Sequence, residues 1–294
     1  MDSNWSDYVQ TSEELYRSRA LRFHDGNKTK WLDLLRIQDG MSVLEVGCGS
    51  GLFAHRVKTY LPHTTVTGLD FDSGHIAFAE AKSHELGLDC MFANGDATAM
   101  PFTDQTFDLC YSFTVMEHIE PNAFLHEQYR VLKPGGTIAV LTVLPGLNLS
   151  GENWQPTAGE EQKLFEKAFQ AAPEAPIQIR KYPLSVSEYA PIMEKNGFRD
   201  INVNVMSLVS YAPDSADVPV ERAIECINVN RLFMLNSMSK ALNLNPAALT
   251  KQERSRLNEL INHRFDERIH CYENGEKMWD IATINVVALT GRKN

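Results

Sequence analysis

A short apolar stretch that runs directly into a glycine-rich turn is the feature that most constrains this fold. Residues 41–46 (Met-Ser-Val-Leu-Glu-Val) have the length and composition of a buried strand. The turn Gly47-Cys-Gly-Ser-Gly51 follows, and then a helical pattern that ends before Pro62. The three glycines allow a sharp bend and a close approach of the backbone to a ligand, and a helix N-terminus favours a negatively charged or polar group. The sequence therefore predicts a ligand-binding turn.

Strand and helix patterns alternate beyond this turn as far as about residue 145. This alternation is typical of βαβ units, which build a parallel sheet with right-handed crossovers. Further strands are predicted at residues 65–69, 90–92, 107–112, 136–143, 198–208 and 281–289. Further helices are predicted at residues 73–87, 121–132, 159–171 and 185–196.

We predict one α/β domain with two insertions. Residues 213–275 are mostly helical, with a capping-box pattern at Thr250-Lys-Gln-Glu253. They separate two strands that are expected to be neighbours, so we interpret them as an insertion and not as a separate domain. The expected segments are a helical N-terminal lid at 1–34, a ligand-binding core at 35–145, a cap insertion at 146–179, a core helix and strand at 180–212, a helical cap insertion at 213–275 and a final core strand at 276–294. The lid and the insertions are expected to cap one end of the sheet.

Composition and charge limit the class of protein. The 294 residues are 43% hydrophobic and 22% charged, which excludes disordered, collagenous and coiled-coil proteins. A net charge of −10 disfavours a large nucleic-acid footprint. We find no membrane-spanning stretch and no signal peptide. The five scattered cysteines lack any Cys-x-x-Cys spacing, which is typical of reduced thiols and provides no zinc site. We expect a cytoplasmic protein that binds neither nucleic acid nor membrane.

Two acidic residues lie where the second and third strands end. Asp70 can accept hydrogen bonds from both hydroxyls of a ribose, and Phe71 can lie against an adenine face. Asp96 can accept from an adenine amino group while Ala97 donates its backbone N–H. Each residue alone is equally well explained as part of a loop or turn. Together they occupy the carboxyl ends of successive parallel strands, where open α/β sheets bind ligands.

The spacing of the glycines bears on the choice of nucleotide. Dinucleotide-binding folds carry Gly-x-Gly-x-x-Gly, whereas here the sixth position is Leu52. An NAD site is therefore disfavoured, and an NAD-linked oxidoreductase stays an alternative.

The chain resembles the class I S-adenosylmethionine (SAM)-dependent methyltransferases, in the methyltransferase type 11 branch that includes ubiquinone/menaquinone-biosynthesis-like enzymes. The resemblance covers about residues 40–145. It lies in Val43 to Gly51, Gly68-Leu-Asp70, Gly95-Asp-Ala97, Met116-Glu-His-Ile119 and Arg130-Val-Leu-Lys-Pro-Gly-Gly136. It implies a Rossmann-like seven-stranded sheet with an antiparallel last strand, helices on both faces and a helical cap inserted between the last two strands. It also implies SAM as the cofactor and S-adenosylhomocysteine (SAH) as the product.

The resemblance implies a role for each motif. The glycine loop would line the methionine part of SAM, and Asp70 would bind the ribose. Asp96 would bond the amino group of an adenine flanked by Phe71 and Ala97. The residues expected at the cofactor are Glu45, Gly47, Cys48, Gly49, Ser50, Gly51, Asp70, Phe71, Asp96, Ala97, Ser112 and Phe113.

Residues around the fourth strand are implied to face the reaction. Glu45 would lie under the glycine loop and order it, while Ser112 and Phe113 would face the methionine moiety and the substrate. Glu117 and His118 lie in the substrate-facing loop of the family. His118 is a candidate general base because an imidazole titrates near neutral pH. A histidine that only orders the loop explains the pattern equally well.

The N-terminal segment provides candidates for a lid over the substrate. Tyr8, Tyr16, Arg19 and Arg22 are placed to close over SAM and to grip an anionic or aromatic substrate. The alternative is that Tyr16 and Trp31 pack a helix onto the sheet.

The helical insertion carries two further patterns. Its apolar residues between Leu232 and Leu242 favour an apolar substrate cavity or a homodimer contact. A histidine and acid cluster shares one face of its second helix, at His263, Asp266, Glu267 and His270. We reject a metal site there in favour of a solvated charged face.

The predicted function is transfer of a methyl group from SAM to an N, O or C nucleophile of a small molecule. Such a transfer is an in-line displacement that depends on proximity and desolvation. Nucleic-acid and glutamine N-methyltransferases carry an Asn/Asp-Pro-Pro-Tyr/Phe segment after the fourth strand. Here Ser112-Phe-Thr-Val115 occupies that place, which counts against both of these classes. A non-catalytic SAM-binding regulatory protein is the second alternative, beside the oxidoreductase.

Overall fold

The computed structural model describes residues 5–143, 145–149, 151, 159–169 and 180–294. The helices in this part of the chain are α1 (Trp5–Tyr8), α2 (Ser12–Ala20), α3 (Lys28–Leu35), α4 (Leu52–Tyr60), α5 (Ser73–Leu86), α6 (Pro121–Val131), α7 (Glu160–Phe169), α8 (Val186–Lys195), α9 (Val220–Leu244) and α10 (Lys251–Glu273). The strands are β1 (Ser42–Val46), β2 (Thr65–Asp70), β3 (Met91–Asn94), β4 (Phe107–Phe113), β5 (Leu132–Val143), β6 (Arg199–Tyr211) and β7 (Ala282–Arg292).

The strands form one seven-stranded sheet in the order β3-β2-β1-β4-β5-β7-β6. Strands β1 to β5 pair in parallel, and β7 pairs with β5 in the antiparallel direction. The order reverses at β1 and β4, and the carboxyl ends of these two strands form the crevice in which such sheets bind ligands. The predicted fold class, with its antiparallel last strand, is confirmed.

Hydrophobic clusters on both faces of the sheet hold the helices in place. Successive residues of β1 alternate between them: Val43 packs with Trp31 of α3, whereas Leu44 packs with Phe124 of α6 and Met193 of α8. This period of two is the consequence of the strand pleat, which turns neighbouring side chains to opposite faces. Helices therefore cover both faces of the central strands, whereas most residues of the edge strand β6 are exposed.

Strand β5 begins earlier than predicted. The predicted strand begins at Gly136, after a Lys-Pro-Gly sequence, yet β5 starts at Leu132. Leu132 pairs with Phe107 and Thr137 pairs with Leu109, so the register shifts between the two pairs. The intervening residues form a bulge in the ladder, with Gly135 at a φ of 75°. The glycines thus interrupt the strand without ending it.

The chain divides into two compact units. The first contains residues 1–147, 177–208 and 284–294, and the second contains residues 148–176 and 209–283. The N-terminal segment thus belongs to the sheet unit, whereas the sequence analysis grouped it with the two insertions. The segment bounds drawn from the sequence, and the expected position of the insertions over the sheet, stay predictions. Most of the predicted 146–179 insertion, and the last two residues of the predicted 159–171 helix, lie outside the described residues.

Helices α7, α9 and α10 form the second unit. The predicted capping box at the start of α10 is confirmed, since the Thr250 hydroxyl accepts from the Glu253 N–H and the Glu253 carboxylate accepts from the Thr250 N–H. Arg268 of α10 is buried between two carboxylates, those of Asp214 and Asp280, each at 2.5 Å. Through the described part of the chain, no helix combines the length and apolar character needed to cross a bilayer.

Candidate active site

The glycine loop after β1 has the conformation that its sequence predicts. Gly47, Gly49 and Gly51 have φ values of 72°, 52° and 78°, in the left-handed region that favours glycine. A Cβ atom at Gly47 would lie 2.4 Å from a methyl group of Val115, and one at Gly49 would lie 2.6 Å from a methyl group of Leu15. Glycine is therefore required both by the backbone and by the close packing around the loop.

Asp70 ties this loop to the end of β2. Its Oδ2 accepts a hydrogen bond from the Gly49 N–H at 2.8 Å, and its Oδ1 accepts from the Asp72 N–H at 2.9 Å. The carboxyl is buried, and this burial raises its pKa while the two backbone hydrogen bonds oppose the rise. Each carboxylate oxygen has a second lone pair, so Asp70 can accept further hydrogen bonds from a ligand.

A cavity of about 680 Å³ lies at the carboxyl ends of β1, β2 and β4. It brings together most of the residues that the sequence analysis singled out. The predicted residues that line it are Glu45, Gly47, Cys48, Gly49, Ser50, Asp70, Phe71, Asp96, Ala97, Phe113, His118 and Arg19. Three separate sequence motifs thus contribute to a single cavity, as the strand-end argument predicts.

Of the predicted residues whose side chains the structure describes, five do not line this cavity: Gly51, Ser112, Glu117, Tyr16 and Arg22. Gly51 caps the start of α4 and packs against α5, where a Cβ atom would lie 2.8 Å from that of Ala79. The Ser112 hydroxyl and the Glu117 carboxylate are buried beside the cavity. The Tyr16 ring packs against His55 and Phe78, each with ring centroids 5.7 Å apart, which agrees with the packing alternative.

The other two lid candidates are Arg22 and Tyr8. The side chain of Arg22 is desolvated beside Arg19, and both effects lower its pKa. Tyr8 lies in α1, and its side chain is outside the described part of the structure.

Glu45 and Arg19 are ionisable residues that both line the cavity. Burial raises the pKa of Glu45 to about 8, although the Tyr111 hydroxyl donates a hydrogen bond to its Oε2 at 3.2 Å. Burial also lowers the pKa of Arg19 to about 10, and the nearby Glu45 carboxylate opposes this change. The Arg19 guanidinium lies 5.4 Å from the centroid of the Phe113 ring. Burial therefore favours the neutral form of both groups.

The environment of His118 bears on its candidacy as a base. Its Nδ1 accepts a hydrogen bond from the Arg180 N–H at 2.9 Å, and its ring lies edge-on to Trp5 with centroids 4.9 Å apart. Burial and the positive charge of Arg180 lower the pKa of His118 to about 4. The neutral ring carries its proton on Nε2, so it offers a hydrogen-bond donor at neutral pH.

The cavity also contains residues that the sequence analysis missed. Several come from the N-terminal segment, whose helices were predicted without bounds. Its cavity residues are Trp5, Gln10, Leu15 and Phe23. The signal for α2 was available, because Thr11-Ser-Glu-Glu14 is a capping-box pattern and the Thr11 hydroxyl accepts from the Glu14 N–H. His75 of α5, a further cavity residue, has no comparable signal.

The four residues of α10 considered for a metal site pair with one another or with neighbouring side chains. His263 pairs with Glu267 at 3.3 Å, Asp266 with Arg231 at 2.8 Å, and His270 with Asn274 at 2.9 Å. Within the described ranges, no group of three or more His, Cys, Asp or Glu residues is arranged to hold a metal ion.

Comparison with known proteins shows that the sheet core is similar to methyltransferases. A family model described as a methyltransferase domain matches residues 43–136. The probable phthiotriol/phenolphthiotriol dimycocerosates methyltransferase 2 of Mycobacterium ulcerans is 38% identical over 108 residues, which are 36% of this chain and 41% of that protein. The demethylmenaquinone methyltransferase of Lactobacillus johnsonii is 27% identical over 206 residues, which are 64% of this chain and 80% of that protein.

A solved structure shows the same fold over nearly the whole chain. Haemonchus contortus phosphoethanolamine N-methyltransferase 2, in complex with SAM, has a TM-score of 0.53 at 18% identity. The match covers 98% of this chain and 59% of that one. The chain spans less than two thirds of the length of this protein and of the mycobacterial relative. The sheet order, the glycine loop at the cavity and the match over residues 43–136 together show that the core of this chain is similar to a methyltransferase domain.

Proposed function

We propose that the chain is a SAM-dependent methyltransferase that transfers a methyl group to an N, O or C nucleophile of a small molecule. One observation carries the proposal: the glycine loop, the carboxylates of Asp70 and Asp96, and the Phe71 ring line the same cavity. The relatives with the matching domain are named as methyltransferases of small molecules. Neither the glycine spacing nor these relatives favour an NAD-linked oxidoreductase.

The residues present fit SAM. The carboxylate of Asp70 has lone pairs left for a ribose. Asp96 accepts a hydrogen bond from the Thr98 N–H at Oδ1, at 2.7 Å, so its Oδ2 can accept one from a ligand. We propose that these two acids hold the ribose and the adenine amino group, that Phe71 and Ala97 flank the adenine, and that the loop from Gly47 to Gly51 lines the methionine part. Glu45 orders this loop from below.

Bound SAM supplies an electrophilic methyl group on a sulfonium. The protein aligns the nucleophile with it and keeps water away. The wall of the cavity suits this task, since its rings from Phe23, Phe53 and Phe113 pack together, with centroids 4.5 and 5.5 Å from that of Phe23. Arg19 adds a positive charge to this apolar wall. We therefore propose a substrate that is largely apolar or aromatic and carries an anionic group.

We propose that His118 contributes a hydrogen bond and not a general base. A base with a pKa of about 4 is protonated by very few nucleophiles near neutral pH. Glu117 is buried, and its backbone carbonyl accepts from the Tyr182 N–H, so we propose that it helps to hold the loop that carries His118. The nucleophile then either reacts unprotonated or loses its proton to solvent.

The proposal includes the cellular setting and the assembly. The five cysteines are all unpaired and the net charge is −10, which supports a cytoplasmic protein without nucleic-acid or membrane partners. We retain a homodimer through α9 as a proposal, because Phe233 on this helix is 51% exposed. Light scattering on the wild type and on Phe233→Ser tests it: a monomeric wild type contradicts it.

Calorimetric titration with SAH, and with NAD in parallel, tests the cofactor. We expect micromolar binding of SAH and none of NAD. Asp70→Ala is expected to weaken SAH binding by about 1–3 kcal/mol, since hydrogen bonds to a charged acceptor are lost. Asp70→Asn keeps an oxygen that can accept from the Gly49 N–H but removes the negative charge. It therefore distinguishes the effect of the lost charge from the effect of a disturbed glycine loop. Asp33→Ala, at an exposed position on α3, is the matched control.

Turnover then separates an enzyme from a binder. Conversion of SAM to SAH in the presence of a metabolite pool supports the methyltransferase. Tight SAH binding without turnover in any pool favours the regulatory SAM-binding protein, and binding of NAD alone overturns the proposal.

A further inference from the structure

His75 is a cavity residue to which neither the motifs nor the proposed mechanism gives a role. It lies in the first turn of α5, directly after the loop that follows β2. Its side chain lines the cavity and is only 2% exposed. Polar side chains buried to this degree almost always have hydrogen-bond partners, because an unpaired buried group loses its hydration without replacement. The partners of both ring nitrogens are therefore informative.

Only one of the two nitrogens is paired within the described part of the chain. Nδ1 lies 2.8 Å from the Ser12 hydroxyl, at the start of α2. Nε2 is buried and has no hydrogen-bond partner among the described residues. Since Ser12 already occupies Nδ1, Nε2 is the polar atom that His75 has left for a ligand.

The surroundings of His75 locate this ligand group. Asp72 caps α5 and accepts from the His75 N–H at 3.2 Å, and its own N–H donates to Asp70. The His75 ring is near both acids: it opposes the burial that raises the pKa of Asp70, and it contributes to the lowered pKa of Asp72. The free nitrogen therefore belongs to the part of the cavity next to Asp70, where the proposed function places the ribose.

We propose that His75 is a second ribose-binding residue, which hydrogen-bonds a ribose hydroxyl through Nε2 while Nδ1 ties the site to Ser12 of α2. A ribose hydroxyl both donates and accepts, so it can pair with Nε2 whether or not this nitrogen carries a hydrogen. The inference rests on the proposed function, because it requires an adenosyl ligand in the cavity. It adds that the same side chain contacts the ligand and the N-terminal segment.

The test compares three ligands on three proteins by calorimetry. The ligands are SAH, its 2′-deoxy analogue and its 3′-deoxy analogue, and the proteins are wild type, His75→Leu and the control His84→Leu. His84 is exposed on the same helix, so its replacement changes composition without touching the cavity. We expect His75→Leu to weaken SAH binding about tenfold, as for one lost hydrogen bond, and the control to stay within twofold.

The deoxy analogues distinguish ribose binding from a structural effect. For one of them we expect the wild type to lose affinity and the His75→Leu penalty to disappear, because the hydroxyl partner is already missing. An equal penalty for all three ligands overturns the inference and leaves the cofactor assignment intact. Failure of the wild type to bind SAH instead overturns the proposed function. His75→Gln, whose amide nitrogen reaches the position of Nε2, is expected to restore SAH binding to within threefold and guards against misfolding of the leucine variant.

Discussion

Glu45 and Arg19 both line the cavity, and burial disfavours the charged form of each. The pKa of Glu45 rises to about 8 and that of Arg19 falls to about 10. Near neutral pH the Glu45 carboxyl is therefore largely protonated, whereas the Arg19 guanidinium is still positively charged. The neutral carboxyl does not neutralise this charge. A ligand that brings an anion close to Arg19 gains more than it would at an exposed arginine, because water competes less in a buried site.

The protonation of Glu45 predicts how Glu45→Gln changes the pH dependence of stability. The folded protein holds this proton up to about pH 8, whereas the unfolded chain releases it near 4.5. Stability from this group is thus complete below about 4.5 and is lost as the pH rises to about 8. We expect the free energy of unfolding to fall less between pH 5 and 8.5 in Glu45→Gln than in wild type, as measured by urea denaturation. Parallel curves for the two proteins would show that Glu45 is ionised throughout.

The state of His118 can be measured directly. Its lowered pKa and its bond from the Arg180 N–H predict an NMR titration of the ring with a midpoint near 4. Comparison with His118→Asn, which keeps an acceptor for Arg180, assigns the resonance. A midpoint near 7 would return His118 to the role of a general base.

At the residue scale, the sequence predicts those site residues that belong to motifs. Asp70 and Asp96 could be found because a strand end fixes where a side chain lies even before the fold is known. His75 could not, since its function depends on Ser12, which is 63 positions away. Arg19 was found through its chemistry, whereas Tyr16, of equally suggestive type, packs between two rings. Whether such a side chain lines the cavity or packs elsewhere depends on tertiary packing, which a local sequence pattern does not predict.

At the scale of elements, helix and strand identities were predictable and their ends less so. The ends of α5 and α10 carry capping residues and agree with the sequence, whereas β5 extends through a Pro-Gly-Gly segment that resembles a stop signal. That strand is held by pairing with β4 on one side and β7 on the other, and tertiary pairing outweighs the local preference of glycine. Helix α2 lies against the glycine loop for a similar reason, since Leu15 is buried over Gly49.

This contact predicts an energetic coupling between the loop and α2. Gly49→Ala is expected to cost about 1–2 kcal/mol for the left-handed backbone, and an additional amount for the contact with Leu15. In the background of Leu15→Ala, only the backbone cost should remain. Urea denaturation of the two single variants and the double variant gives this coupling energy as a double-mutant cycle. Strict additivity would mean that α2 moves freely away from the loop.

At the scale of the whole molecule, two histidines with lowered pKa values, one buried and one half-buried, contribute to the response to acid. His55 is 2% exposed, its Nε2 lies 2.7 Å from the Ser83 hydroxyl, and burial lowers its pKa to about 4. His118 is similarly shifted. Between about pH 4 and 6.5 the unfolded chain binds these protons and the folded protein does not, so stability falls as the pH falls through this range.

We therefore expect His55→Gln to flatten the acid limb of the stability profile. Gln is uncharged at every pH, so the difference in free energy of unfolding between wild type and variant should shrink or reverse from pH 7 to pH 4. Chemical denaturation at four or five pH values measures this difference. A constant difference would place the pKa of His55 at the same value in both states.

The adjacency of β6 and β7 has a consequence for how such a protein diversifies. These strands are consecutive in the chain and neighbours in the sheet, although α9 and α10 lie between them in sequence. Closing a longer connection between two paired strands costs entropy only in proportion to the logarithm of its length. A long insertion between β6 and β7 therefore adds little to the entropic cost of folding, and the two strands can stay paired whatever the inserted sequence is. A lineage can therefore exchange this segment while the glycine loop and the strand ends that line the cavity are inherited unchanged.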